Sequence, residues 1–158
     1  MTCGVVAATA APSYAAHVNG YDSVDGGEVR YENETVYDGT LRWALDAWNA
    51  VGSVDFKPDG ALTNADLQVQ DRYEDGADWD GLYKNDAGAD EIYFNSAYFD
   101  GYTYDQRKAV ATHELGHALG LADHTSTSWH AIMYDHATAT GYTTPQAHDK
   151  SDYASLWG

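Results

Sequence analysis

One stretch, Thr103 to Gly120, constrains this chain more than any other. Thr103 with Gln106 three residues on is the pairing of a capping box, in which two side chains satisfy the first orphan backbone donors of a helix. Gly120 supplies a stop. Between them lies His113-Glu114-Leu115-Gly116-His117, an HExxH string. Residues four apart sit one turn above each other, so both imidazoles can reach one cation while Glu114 points a carboxylate at its open side. Two histidines do not finish a site, because zinc in hydrolases usually takes three protein ligands and leaves the fourth position to water. Asp123, beyond the turn that Gly120 permits, has the spacing to swing back and complete HExxHxxGxxD. His124 is the alternative third ligand, if Ala122 serves as an extra turn residue. The choice matters, because an anionic ligand lowers the net charge of the site.

The rest of the chain supplies the layers such a helix needs. Leu41, Ala44, Leu45 and Trp48 fall at i, i+3, i+4 and i+7, the stripe of a helix starting at Asp38 or Thr40 and stopping at Gly52. Glu28 to Glu32 alternates with period two, and Val54-Asp55-Phe56, Leu67-Gln68-Val69 and Glu91 to Asn95 also read as strands. Asp71 to Asp90 reads as a long acidic loop with a short Leu82-Tyr83 segment. A third helix is expected after Thr144, which can cap, with Pro145 at the first helical position, running toward Leu156-Trp157. The fold class is α+β.

At 158 residues the chain fits one domain, read as 20-158, with 1-19 as an export-signal remnant or a frayed terminus. The basis is the small apolar run Val5 to Ala11 followed by Ser13-Tyr14-Ala15, which has the form of a small-x-small cleavage site. Eight Lys and Arg against twenty-five Asp and Glu give a net charge of −17, which repels phosphate backbones and anionic lipid and so excludes nucleic acid as a partner. No apolar run is long enough to span a membrane. Cys3 is the single cysteine, so neither an intrachain disulfide nor a cysteine-based zinc motif can form.

Val110 to Leu121, reading VATHELGHALGL, and Ala131-Ile132-Met133-Tyr134 resemble the metzincin zinc metallopeptidases, specifically their small bacterial matrixin-like and snapalysin-like members. Weaker likeness extends to the first helix with Trp43 and Trp48, to Glu91–Tyr98 and to the ending from Asp149 to Trp157. Matrixins carry histidine at the third-ligand position, whereas snapalysins resemble this chain in placing Asp there with His next. The resemblance implies a twisted mixed sheet with two long helices plus a C-terminal helix, and zinc at the floor of a cleft. It also implies an extended peptide paired with an edge strand.

On that resemblance His113, His117 and Asp123 bind zinc, Glu114 is the general base, and Met133 forms a hydrophobic floor without being a ligand. Tyr142 is expected to line the substrate pocket or help hold the oxyanion. His17, His130, His136 and His148 are expected to be solvated. Carboxylates of the acidic loop could supply a structural calcium site. The expected protein is a secreted, monomeric zinc endopeptidase acting on extended polypeptides. The alternative is a catalytically weak, zinc-stabilised extracellular binding protein.

Overall fold

The computed structural model describes residues 16–126, 128 and 130–158. Cys3 and the export-like stretch through Ala15 lie outside the described residues. Strand β1 (Glu28–Asn33) leads into helix α1 (Asp38–Asn49), followed by strands β2 (Asp55–Pro58), β3 (Leu67–Arg72), β4 (Gly81–Lys84) and β5 (Asp90–Asn95). After them come the short helix α2 (Ser96–Phe99), the long helix α3 (Tyr104–Ala118), the short α4 (Ala137–Thr140) and the C-terminal α5 (Ala147–Trp157).

The sheet runs β2-β1-β3-β5-β4. All neighbours are parallel except β4, which pairs antiparallel with β5, Leu82 opposite Tyr93 and Tyr83 opposite Ile92. Strand β4 therefore forms one edge. The segment expected to be loop contributes that edge, because its alternation is too short to separate from loop without its partner. Val29, Leu67, Val69, Ile92 and Phe94 are fully buried and make the sheet's contribution to the core.

Helix α1 packs against α3 through the expected stripe of Leu41, Ala44, Leu45 and Trp48, all buried. Trp48 is the joint of this seam. Its Nε1 donates to the Thr112 carbonyl of α3 at 2.8 Å, and its ring stacks on Tyr153 of α5, centroids 6.0 Å apart. The Tyr153 hydroxyl accepts from the Val54 amide at 2.8 Å and donates to the Gly52 carbonyl, so three helices and the approach to β2 meet at two aromatic rings.

The capping box at Thr103 and Gln106 forms as expected. Helix α5, by contrast, starts two residues after Pro145, with Gln146 as its cap and Asp149 as the reciprocating third residue. Asp149 wins over Thr144 because its buried carboxylate also accepts from the Ile132 and Met133 amides at 2.8 and 3.1 Å, anchoring two segments at once.

Trp48→Ala removes that joint and opens a cavity, so we expect a loss of about 3–5 kcal/mol in urea denaturation. A loss below ~1 kcal/mol would mean that the α1–α3 seam does not hold the site helix in place.

Candidate metal centre

Helix α3 buries His113 and Glu114 and turns both imidazoles toward one point. The helix ends in a Schellman-type reversal: Gly120 takes φ +88°, its amide donates to His117 at 2.9 Å, and the Leu121 amide reaches back to Gly116 at 3.0 Å. That reversal returns Asp123 over the helix end. His113 Nε2 and His117 Nε2 lie 3.1 Å apart, and Asp123 Oδ1 lies 3.1 Å from the first and 3.2 Å from the second.

Tetrahedral bonds of 2.0–2.1 Å place donor atoms roughly 3.3 Å from one another. The triangle of two nitrogens and one oxygen therefore fits a zinc ion with an open fourth position. The far side of each ring supports the same reading. His113 Nδ1 faces the Ile132 carbonyl at 3.0 Å, and His117 Nδ1 faces the Leu121 carbonyl at 2.9 Å. A carbonyl only accepts, so both Nδ1 atoms carry the hydrogen and both Nε2 lone pairs point at the shared space.

The floor is built from sequence-adjacent pieces. His124 donates its amide to the Met133 carbonyl at 2.7 Å and accepts from the Asp135 amide at 3.0 Å, which pins the turn carrying Met133 beneath the helix. Met133 is fully buried, with its sulfur close against Gly116 of the helix. A Cβ on Gly116 would lie 2.3 Å from its sulfur and 3.1 Å from Trp48, so only glycine lets the thioether approach this closely.

Glu114 projects into a cavity of about 320 Å³, with Asp80, Gly81, Tyr83, His117 and Asp135 among its walls. Burial pushes its carboxyl above the usual range, although the neighbouring His113 and His117 pull the other way. Burial likewise opposes the charge on Asp123, but the two imidazoles beside it prevail and hold its carboxyl well below the ordinary carboxylate range. Strand β4 lies directly over Glu114: a Cβ on Gly81 would come within 2.6 Å of its Oε1.

Other expected site residues lie elsewhere. His124 belongs to a different group, with Asp152, His17 and His148. Tyr142 bonds His130 Nδ1 through its hydroxyl at 3.0 Å and lines a separate cavity with Tyr134 and Thr140, rather than the one that holds Glu114. His130 and His136 are exposed, as expected for solvated rings. His148 is not: its side chain keeps only 9% of its surface.

The acidic loop gathers no calcium cage among the described residues. Asp90 is held by Ser23, Tyr83 and Asn85, and both Asp86 and Glu91 pair with Lys84, so protein donors already occupy these oxygens. Two participants went unread in the sequence. Asn19 donates to the Leu121 carbonyl at 2.7 Å and lines the cavity, while the Tyr83 ring stacks beside His117 with its hydroxyl donated to Asp90 at 2.6 Å. Asn19 belongs to the segment His17 to Asn19, grouped above with the N-terminus, which pairs with Gly120 to Ala122.

Two outcomes follow from this geometry. Gly116→Ala must displace Met133, and we expect a cost of about 1–3 kcal/mol in denaturant melts together with weaker zinc retention; an unchanged protein would show that the thioether contact is dispensable. In a chelator-stripped chain a further proton on His113 Nε2 would be shared with Asp123 Oδ1, 3.1 Å away. Burial lowers the His113 pKa, yet hydrogen bonding to Asp123 and the charges of Glu114 and Asp123 outweigh it and raise it from 6.5 to about 9. A folded-state value above the unfolded one adds stability that is complete below pH 6.5 and lost as pH rises through about 9. The melting temperature of the stripped chain should fall across that window, and a level profile would remove the shared proton.

Comparison with known proteins gives the centre a context. The structure of myroilysin superposes with a TM-score of 0.59 at 13% identity, covering 90% of this chain and 98% of that one. The GM1-bound form of the ECX AB5 holotoxin superposes with a TM-score of 0.59 at 16% identity, covering 87% and 84%. At such identities these likenesses concern the fold. Among curated protein sequences none matches. The model of the Streptomyces extracellular neutral proteinase (M7) family matches residues 44–158, which takes in α3, the reversal at Gly120 and the methionine turn. The chain belongs to this family, and is with it a zinc metallopeptidase.

Proposed function

We propose that the chain is a secreted endopeptidase in which His113, His117 and Asp123 hold the zinc and Glu114 is the general base. The carrying observation is the triangle of donor atoms 3.1–3.2 Å on a side next to a buried carboxylate in an open cavity. When bound, the ion supplies Lewis acidity, lowering the pKa of water from 15.7 toward about 7 and polarising a carbonyl oxygen. Glu114 takes the proton of the attacking water and delivers it to the departing amine nitrogen. The upward shift that burial gives its carboxyl suits the second task, because it favours the protonated form that gives a proton to the leaving group. Asp123 is favoured over His124 as third ligand, since its oxygen stands between the two imidazoles while the His124 ring sits beside Asp152.

Substrate binding draws on the sheet. β4 is the edge strand and lies over Glu114, so an extended polypeptide adding to its free side would bring a peptide bond beside that carboxylate. Secretion accords with the extracellular character of the family.

Glu114→Gln keeps the size and removes the base. We expect the variant to retain its zinc by elemental analysis while turnover of a denatured polypeptide falls by roughly 10²–10⁴-fold. Unchanged turnover would remove Glu114 from the chemistry.

A further inference from the structure

A second convergence of donor atoms lies outside the centre just described. His148 and Asp152 are one turn apart on α5, His124 stands in the loop directly after Asp123, and His17 comes from the N-terminal segment. Asp152 Oδ2 lies 3.3 Å from His124 Nε2, 3.6 Å from His148 Nε2 and 3.9 Å from His17 Nδ1. One donor atom from each of the four residues falls within 4.8 Å of every other. His124 and Asp152 are almost wholly buried. The rings crowd together as well, His124 standing 4.5 Å by centroid from both His17 and His148.

Chemistry narrows what this arrangement can hold. Three imidazoles and one carboxylate are the donors of a borderline divalent ion such as zinc, whereas calcium and magnesium need oxygen cages. Four protein donors fill a tetrahedron and leave no position for water, as in structural rather than catalytic sites. Ideal bonds need donor atoms roughly 3.3 Å apart, so closure asks for inward shifts on the order of 1 Å at the widest pair.

We propose that His17, His124, His148 and Asp152 form a second, structural site for a divalent transition ion of the zinc class. The ion would join three separate pieces of chain: α5, the loop behind α3, and the segment that pairs its backbone with Gly120, Leu121 and Ala122. Because His124 follows Asp123, it would brace the reversal from behind while taking no part in the reaction. The inference uses none of the three donors of the proposed catalytic centre.

The test is zinc content of the full chain after chelation, reloading with Zn²⁺ alone and gel filtration. The unsubstituted chain should hold two equivalents, and His148→Gln and His117→Ala should each hold one. The His117→Ala variant keeps all four donors of the second site intact. Saturating Zn²⁺ should raise its melting temperature by about 5–15 °C, and should leave the His117→Ala/His148→Gln double variant unmoved. If His117→Ala binds no zinc, or His148→Gln loses none, the four residues are a hydrogen-bonded polar cluster only and the proposal falls. A single equivalent that survives His117→Ala and disappears with His148→Gln would support this site and overturn the catalytic reading instead.

Discussion

Two backbone carbonyls aim the imidazoles, and much of the molecule exists to hold those carbonyls still. Leu121 presents its oxygen to His117 only because the chain reverses at Gly120, and Ile132 presents its oxygen to His113 only because the methionine turn is fastened beneath the helix. The first depends on a glycine with φ near +88°, a conformation in which a side chain is strained. The second depends on Asp149, whose buried carboxylate takes both the Ile132 and Met133 amides. Burial pushes that carboxyl's pKa up, and the backbone donors offset only part of the rise. The carboxyl placed there is both a cap for α5 and the anchor of the turn.

The sheet and α1 contribute stiffness to the same end. α3 is clamped on one side by Trp48 and on the other by β4, which approaches closely enough that Gly81 touches Glu114 and Val110. A helix held from two sides keeps its side chains in place, and the backbone of β4 limits the rotamers open to Glu114.

What the sequence disclosed, and what it hid, follows from the range of the interactions. The spacing of His113, Glu114 and His117, the box at Thr103 and Gln106, and the α1 stripe are all settled within a turn or two of helix, and each can be read from neighbouring residues. Strand β4 is four residues long and owes its existence to pairing with β5, so its own pattern is too weak to separate it from loop. The start of α5 is set by long-range contacts in the same way: Thr144-Pro145 is a sound local signal, but Asp149 is recruited by amides of the methionine turn. His17 and His148 appeared solvated because nothing local ties them to His124 or Asp152; only the fold brings the four together. Asn19 and Tyr83 reach the centre in the same long-range way.

Position 81 has a consequence for how such a scaffold can diversify. With its backbone pressed against a carboxylate and a valine methyl one turn apart on α3, no larger residue can be accommodated without pushing the strand away from the helix. Variation in what the cleft accepts must then arise from the flanking Asp80 and Leu82, or from the far wall near Asp135, which also line it. Position 81 is thereby closed to larger side chains, and variation of the cavity wall is left to its neighbours.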